Sequence, residues 1–341
     1  MNNTGSRLDI APLAVTMGEP SGIGGELTLK AWQRRAELTC PFFTIANAAH
    51  LRAEAATHGL VVPIQIISTA ADAIQVFPDA LPLIDIPLPS SPAAGQPNTE
   101  NADAVVNSIT AAVRMAMDGS TSAVITNPIH KRNLYEAGFP HPGHTEFLAE
   151  LSGTNVEPVM MLACDSLRTV PVTTHMSLHD AINGLSADLI VSQAIITARA
   201  MEIDFGIPAP RIAIAGLNPH AGEDGTMGNE EETIIRPAME ELRSQGINVS
   251  GPHPPDAMFS AAKRATYDAA ICMYHDQALI PIKTLDFSGG VNITLGLPFV
   301  RTSPDHGTAL DIAGQGIADE TSLMAAINLA ATIGAQRTRA A

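Results

Sequence analysis

Short apolar runs alternate with segments of helical periodicity along almost the whole chain. Pro12–Met17 and Asp268–Tyr274 have the length of buried strands, whereas Ala102–Asp118 repeats apolar residues at the spacing of one helix face. Strands that alternate with helices predict an α/β architecture with a mixed, largely parallel sheet. The proline-rich stretch Leu81–Asn98 is predicted to be an extended connection. Further predicted strands are Ala123–Thr126, Val159–Ala163, Thr169–Thr174, Arg211–Leu217 and Asn292–Leu295, and further predicted helices are Ala187–Met201, Glu230–Arg243 and those starting near Glu26 and Glu320.

The length and the charge of the chain limit its organisation and its partners. At 341 residues it exceeds what one hydrophobic core usually serves, so two lobes are expected. Its 19 basic and 35 acidic side chains give a formal net charge of −16. Nucleic acids and anionic membranes bind to a basic face, so this charge argues against both as partners. An anionic small ligand would have to be bound by a few cations placed for it.

The cysteines and the first residues point to a reducing compartment. Cys40, Cys164 and Cys272 form no CxxC pair and lie in or beside apolar runs, as buried free thiols do. The first residues lack a basic segment followed by an apolar one, so no export signal is expected. No uninterrupted apolar stretch approaches the roughly 20 residues of a membrane helix. We therefore expect a soluble cytoplasmic protein.

A histidine lies at or just after the end of each of three predicted strands. TTHMSL contains His175, GLNPHAGEDG contains His220 and MYHDQ contains His275. In parallel α/β sheets, polar residues just past the carboxyl ends of the strands face the ligand crevice. Three imidazoles suit a divalent transition metal with an open coordination position. The histidines are 45 and then 55 residues apart, so no local motif joins them, and the alternative remains that each completes a local turn.

Cations occur in the same neighbourhoods. Lys283 follows the third histidine strand, and Arg301 ends the segment NITLGLPFVR, which starts at Asn292. In a chain with a large negative net charge, these residues are predicted to bind a phosphate or a carboxylate. The alternative is that they are surface residues in ion pairs. Lys131 and Arg132, just after TNPIH, are weaker candidates for the same role.

The segment GHTE is predicted to open a helix. Thr145 would cap this helix, and His144 beside it would lie among the free backbone N–H groups of the first turn. Such a helix start binds anions readily. It therefore adds a second candidate contribution to an anion site.

Two glycine-rich segments are candidates for backbone approach to a ligand. In DHGTALDIAGQGIAD, Gly307 and Gly314 allow close approach to a flat ligand, and Asp311 could accept a hydrogen bond from a ribose hydroxyl. The earlier MGEPSGIGGE contains Gly22 and Gly24 after a strand. Neither matches the dinucleotide fingerprint GxGxxG, and tight packing at a helix entry explains the earlier segment equally well.

Together these motifs carry a family resemblance. MGEPSGIGGE, TNPIHK, GHTEFLAEL, NPHAGEDGTMGNEE, MYHDQALIPIK and GVNITLGLPFVRTSPDHGTALDIAG resemble the 4-hydroxythreonine-4-phosphate dehydrogenase family of pyridoxine 5′-phosphate biosynthesis, from about Val15 to Ala331. The loop DHGTALDIAGQGIAD also resembles the cofactor loop of isocitrate and isopropylmalate dehydrogenases. The resemblance implies two α/β/α lobes with a cleft between them, and a homodimer with its active site at the interface. We expect residues 1–130 and 300–341 to form the cofactor-side lobe, and residues 131–299 the lobe for metal, substrate and dimerisation.

The resemblance also implies roles for individual residues. The implied metal ligands, some supplied across the dimer interface, are His175, His220 and His275. The residues implied to contact the phosphorylated substrate are His144, Thr145, Lys283, Asn292 and Arg301. The residues implied to line NAD or NADP are His306, Gly307, Thr308, Asp311 and Gly314. The metal could be zinc, cobalt or magnesium, and imidazole ligands favour the first two.

The implied reaction is oxidation of a phosphorylated hydroxy amino acid, followed by loss of CO₂. A divalent ion would stabilise the negative charge that develops on one oxygen in both steps. The predicted catalytic residues are Asp276 and Lys283. Lys283 would meet an anionic end of the substrate, and Asp276 either orients an imidazole or accepts a proton, with orientation favoured. A sister enzyme that oxidises D-threonate or D-erythronate 4-phosphate needs the same residues and stays an alternative. A phosphotransacetylase-like transferase is an alternative of another class, which would need neither the three histidines nor the DHGTALDIAG loop.

Overall fold

The computed structural model describes residues 8–141, 143–153 and 157–340. In chain order the strands are β1 (Leu13–Thr16), β2 (Phe42–Ala46), β3 (Ile64–Ile66), β4 (Leu81–Asp85), β5 (Ala123–Ile125), β6 (Val159–Cys164), β7 (Leu167–Thr173), β8 (Ile212–Ala215), β9 (Val249–His253), β10 (Ala269–Tyr274), β11 (Val291–Leu295) and β12 (Val300–Pro304). The α-helices are α1 (Gly24–Gln33), α2 (Ala48–Thr57), α3 (Ala73–Val76), α4 (Ala102–Met117), α5 (Lys131–Glu136), α6 (His144–Ser152), α7 (Leu178–Gly184), α8 (Ala187–Ile203), α9 (Arg236–Ser244), α10 (Pro255–Met258), α11 (Ala261–Arg264), α12 (His275–Leu285) and α13 (Thr321–Ala340).

The chain packs as two units. The first contains the residues up to Pro158 together with Leu297–Arg339, and the second contains Val159–Gly296. The sequence-based limits were 130 and 300. Residues 131–158 belong to the first unit because α6, for example, packs against α4. The roles expected for the two lobes stay predictions.

The first unit is built on parallel strands. Their order is β3-β4-β2-β1-β5-β12, and every neighbouring pair is parallel. All residues of β1, β2 and β5 are buried, as expected where helices cover both faces of a parallel sheet. Phe42 and Phe77 pack edge to face in this core, with ring centroids 5.1 Å apart.

The second unit has a mixed sheet. Its order is β11-β6-β7-β10-β8-β9. The pairs β11–β6 and β6–β7 are antiparallel, and the other neighbours are parallel. Helix α12 packs its buried residues, among them Ala278 and Ile282, onto this sheet. The predicted α/β class with a mixed, largely parallel sheet is confirmed.

Two local predictions differ from the structure. The stretch Leu81–Asn98 begins with strand β4, because Leu81 and Leu83 are fully buried in the sheet despite the prolines around them. The predicted helix Glu230–Arg243 is a π-helical turn at Glu231–Ile235 that continues into α9.

Among the described residues, no single helix has both the length and the apolar composition to cross a membrane. Helices α7 and α8 pass that test only as a pair, and they are bent by 92° at the break between them.

Candidate functional site

Two of the three predicted metal histidines lie side by side in the second unit. Strands β7 and β10 are parallel neighbours, with Thr173 paired to Tyr274 at their carboxyl ends. His275 directly follows β10, and His175 comes two residues after β7, so both emerge at the same edge of the sheet. Their ring centroids are 5.8 Å apart. Two imidazoles at this separation can reach a common ion.

Asp276 contacts one of these imidazoles. Its Oδ1 atom lies 2.8 Å from Nδ1 of His275. A carboxylate beside Nδ1 accepts a hydrogen bond from the N–H at that position. The proton then stays on Nδ1, and Nε2 is left with the lone pair that can bind a metal. This geometry fits the orienting role, rather than proton transfer, for Asp276. Its assignment as a catalytic residue stays a prediction.

A pocket of about 450 Å³ opens at this edge of the sheet. Its lining includes both imidazoles and the side chains of Met176 and Leu178, which are 50% and 57% exposed. Large apolar side chains at that exposure favour contact with another surface. The pocket therefore combines possible metal ligands with apolar residues around them.

His220 lies in a separate loop after β8. Among the residues that the structure describes, no group of three His, Cys, Asp or Glu side chains could hold a metal ion. His220 is exposed, and the five residues His220–Asp224 all have left-handed backbone angles, with φ between 40° and 78°. The structure thus brings two of the three predicted ligands together within one chain, and the third would have to come from elsewhere.

The loop of His220 is held by a carboxylate that the sequence analysis missed. Glu231 is 1% exposed, and its Oε1 atom accepts from the backbone N–H groups of Leu217 and Asn218 at 2.8 and 2.7 Å. Its Oε2 atom accepts from the Asn218 side-chain amide at 2.9 Å. A buried carboxylate with several donors stabilises a backbone that is otherwise unfavourable. The only sign of this glutamate in the sequence is the segment NEE (residues 229–231) near the predicted helix start.

Lys283 and Asn292 lie in the second unit, away from this pair of imidazoles along the chain. Lys283 follows His275 by two helical turns of α12, a rise of about 12 Å. Its Nζ atom lies 5.4 Å from the ring centroid of Phe287, which is 76% exposed. Asn292 is half-buried in β11. Their predicted contacts with a substrate anion stay predictions.

Arg301 of the first unit is a buried cation. It lies in β12 beside β5, is 4% exposed, and donates from Nη2 to Oγ1 of Thr126 at 2.6 Å. Burial lowers the pKa of Arg301 to about 10. Removing a charged group from water costs free energy, so a buried charge usually has a function or a counter-ion.

His144 lies close to this guanidinium. Its Nε2 atom is buried and has no hydrogen-bond partner among the described residues. Burial first, and then the charges of Arg301 and Lys131, lower the pKa of His144 well below its usual value. The imidazole is therefore neutral, and it can donate a hydrogen bond to an anion.

The predicted cap of the following helix is wrong. Gly143, not Thr145, occupies the N-cap position of α6, and among the described residues no side chain caps this end. Thr145 is instead the second residue of the helix and is half-buried. In the described part of the chain, the first N–H groups of α6 thus have no side-chain cap. The contact of Thr145 with an anion stays a prediction.

The two glycine-rich segments pack on each other in the first unit. The N–H of Ile23 donates to the carbonyl of Thr308 at 3.1 Å. A Cβ atom on Gly22 would lie 2.8 Å from that carbonyl, and one on Gly314 would lie 2.7 Å from Cβ of Ala94. These two glycines therefore permit close packing of protein on protein. Gly307 is exposed with open space around it, and Asp311 is exposed, so both are accessible to a ligand.

The far end of the later segment is tied to helix α1. Lys30 donates from Nζ to the carbonyls of Gly316 and Ala318 at 3.1 and 2.6 Å, and to Glu26 at 2.7 Å. Glu26 in turn accepts from the N–H of Ala318 at 2.9 Å. The predicted cofactor loop, which also contains His306, is thus fixed at this end.

Two carboxylates are buried behind these segments. The side chain of Glu26 is fully buried and that of Glu54 is 11% exposed. Burial, and to a smaller extent the charge of Glu26, raise the pKa of Glu54 to about 8. Nε2 of His50 lies 3.9 Å from Glu54, but burial lowers the pKa of His50, so the ring is neutral. Glu54 consequently keeps its proton at neutral pH.

This protonated carboxyl predicts a pH dependence of stability. In the unfolded chain Glu54 loses its proton near pH 4.5, whereas in the folded chain it keeps it to about pH 8. Between these values the folded state binds more protons, so the free energy of unfolding from this group falls as the pH rises, by about 1.4 kcal/mol per pH unit. Glu54→Gln should remove this decrease. Urea unfolding at several pH values from about 5 to 8 measures it.

The control for this prediction is Glu100→Gln, since Glu100 is exposed. In this variant the free energy of unfolding should fall with pH as steeply as in the wild type. The opposite contribution of His50 is present in all three proteins and cancels in the comparison. Equal slopes for wild type and Glu54→Gln would show that Glu54 is ionised in the folded protein.

Comparison with known proteins identifies the relatives of the chain. The model of the family described as pyridoxal phosphate biosynthetic protein PdxA matches residues 37–330. The 4-hydroxythreonine-4-phosphate dehydrogenases of Bradyrhizobium diazoefficiens and Caulobacter vibrioides are 51% and 50% identical, and each alignment covers 96% of this chain and 98% of the relative. The crystal structure of the enzyme of the same name from Klebsiella pneumoniae is 38% identical with a TM-score of 0.85, and covers 95% of this chain and 99% of that one.

Proposed function

Since the chain belongs to the PdxA family, we propose that it catalyses the NAD(P)-dependent oxidation of 4-phosphooxy-L-threonine. The β-keto acid that forms would lose CO₂ to give 3-amino-2-oxopropyl phosphate, in a step of pyridoxine 5′-phosphate biosynthesis. The observation in the structure that carries this proposal is the pairing of His175 with His275 at the ends of two parallel strands. We place the enzyme in the cytoplasm, whose reducing conditions suit cysteines that form no disulfide in the described part of the chain.

The donor set of the second unit fits a divalent metal. We propose that His175, His275 and His220 hold it, with His220 contributed by the second subunit of a homodimer. The exposed apolar side chains beside the pocket support such an interface. Bound there, a divalent cation would stabilise negative charge on the substrate oxygen during oxidation and decarboxylation. Imidazole ligands favour zinc or cobalt over magnesium.

In this proposal Asp276 serves by orientation. It holds the proton of His275 at Nδ1 and so keeps Nε2 available and the ring fixed. The rigid ends of β7 and β10 hold both imidazoles in place. We propose that Lys283 and the polar side chain of Asn292 also contact an anionic group of the substrate.

The first unit supplies the anion pocket. We propose that Arg301 and His144 bind the substrate phosphate together with Thr145 and the first N–H groups of α6. Arg301 contributes a buried charge, and the neutral His144 contributes a donor at Nε2 that has no partner of its own among the described residues. Charge-assisted hydrogen bonds of this kind are about twice as strong as neutral ones. They would fix the end of the substrate remote from the reacting carbon.

The later glycine-rich segment is our proposed site for NAD or NADP. It follows the carboxyl end of β12, and the earlier glycine-rich segment follows the carboxyl end of β1, where ligands bind in parallel sheets. The cofactor would accept the hydride from the substrate alcohol. The residues proposed to line it are His306, Gly307, Thr308, Asp311 and Gly314.

Paired substrates test the proposed function. With NAD and then NADP, 4-phosphooxy-L-threonine should reduce the cofactor faster than D-threonate or D-erythronate 4-phosphate does, in a reaction that excess chelator stops. Faster oxidation of D-threonate or D-erythronate 4-phosphate would show that a sugar-acid phosphate is the substrate, and the proposed site would stay the same. Reduction of neither cofactor with any of the three compounds would contradict the proposal.

A further inference from the structure

Lys131 and Arg132 are adjacent cations with different surroundings. Arg132 forms an ion pair with Glu136 one turn along α5, at 2.8 Å, and both side chains are exposed. Lys131 is exposed as well, but its side chain extends over the start of α6: a Cβ atom on Gly143 would lie 3.4 Å from both Cε and Nζ of Lys131. Of these two neighbours, Arg132 therefore faces the solvent and Glu136, and Lys131 lies over the start of α6.

Positive potential from three sources converges on His144. The first turn of α6 presents the positive end of the helix dipole and N–H groups that no described side chain caps. Arg301 and Lys131 both act on the same imidazole. Nε2 of His144 is buried here and has no hydrogen-bond partner in the described ranges of the chain. Like charges that converge on a neutral donor are unfavourable unless an anion joins them.

One carboxylate lies near this group. Oε2 of Glu146 lies 3.5 Å from the Cβ position built on Gly143. It forms no ion pair with Lys131 within 4 Å in the described parts of the chain. Glu146 is exposed at the rim, so it does not neutralise the buried part of the pocket.

We propose that Lys131 is a further substrate-binding residue, whose ammonium closes the pocket of His144 and Arg301 over the substrate phosphate. Arg301 is buried within the sheet and fixed, whereas Lys131 is exposed on a flexible stem and can follow the anion as it enters and leaves. This assignment rests on the proposed function, which supplies the phosphorylated substrate.

Neighbouring variants test the proposal. Lys131→Met should raise KM for the phosphorylated substrate about 10-fold or more, the loss of one charge-assisted contact, with little change in kcat or in KM for the cofactor. Arg132→Met, the matched control, should leave all three constants unchanged. Lys131→Arg should recover most of the affinity. Thermal unfolding of each variant should match the wild type, since both side chains are exposed.

Direct binding of inorganic phosphate separates this proposal from the proposed function. Isothermal titration should show weaker phosphate binding for Lys131→Met than for wild type or Arg132→Met, even if no candidate substrate is oxidised. Unchanged phosphate affinity in Lys131→Met would overturn the role of Lys131. So would an equal loss in Arg132→Met, because the effect would then come from general surface charge.

Discussion

His220→Ala should abolish tight binding of a divalent ion and lower turnover by more than about 100-fold, because loss of a direct ligand exceeds the 10- to 100-fold typical of a supporting residue. The protein should remain folded, since His220 is exposed and Glu231 still holds its loop. His175→Ala and His275→Ala should behave alike. Metal content after dialysis, measured by mass spectrometry, and kcat test this directly.

The matched control is His179→Ala. His179 is an exposed histidine of α7 whose Nε2 lies 3.0 Å from the Asn183 amide, and it is not a predicted ligand. This variant should keep both its metal and its activity. Full activity of the wild type in excess chelator would contradict the metal proposal altogether.

Mixing two inactive variants tests where the ligands come from. If the ion is shared across a dimer interface, His220→Ala mixed with His275→Ala should regain about a quarter of the wild-type activity, because half of the dimers are mixed and each carries one intact site. The structure places His175 and His275 in one chain, so the mixture of those two variants should stay inactive. No recovery in either mixture would argue for a site completed within one subunit.

The sequence was sufficient to predict the candidate ligands but not how they assemble. The alternation of elements predicts a parallel sheet, and neighbouring parallel strands bring residues from their carboxyl ends together, as β7 and β10 bring His175 and His275. Nothing in a spacing of 45 and 55 residues states which strands are neighbours. The position of His220 depends on a left-handed loop. The buried Glu231, from a later turn, binds the backbone of Leu217 and Asn218 just before that loop. The residues NEE mark a glutamate near a helix start, but they do not say which backbone groups that glutamate contacts.

Burial was the property that the sequence analysis predicted least well. Gly22, which fitted a ligand-facing turn and a tightly packed helix entry equally well, makes room for the carbonyl of Thr308. Glu54 reads as an ordinary helical glutamate, yet its environment holds a proton on it at neutral pH. Lys131 looked equivalent to Arg132. In each case the chemistry of the side chain depends on what packs against it, and residue type alone does not determine that.

Arg301→Met should raise KM for the phosphorylated substrate by about 10- to 150-fold, which corresponds to the loss of a charge-assisted contact of about 1.5–3 kcal/mol. The effect should fall on KM rather than kcat, because the phosphate lies at the end of the substrate that does not react. Arg301→Lys keeps a charge without the planar fork and should recover only part of the affinity. Steady-state kinetics with the substrate and the cofactor varied in turn measures both constants.

Arg168, a half-buried arginine, is the control that separates phosphate binding from packing. Arg168 of the second unit lies over the ring of Phe205, with Cζ 4.6 Å from its centroid, and burial lowers its pKa as well. Arg168→Met should lower the melting temperature without changing KM for either substrate, whereas Arg301→Met should change KM even at temperatures well below its own transition. If both variants raised KM equally, or if Arg301→Met only lowered the melting temperature, Arg301 would be a structural residue of β12, and the phosphate would have to bind elsewhere.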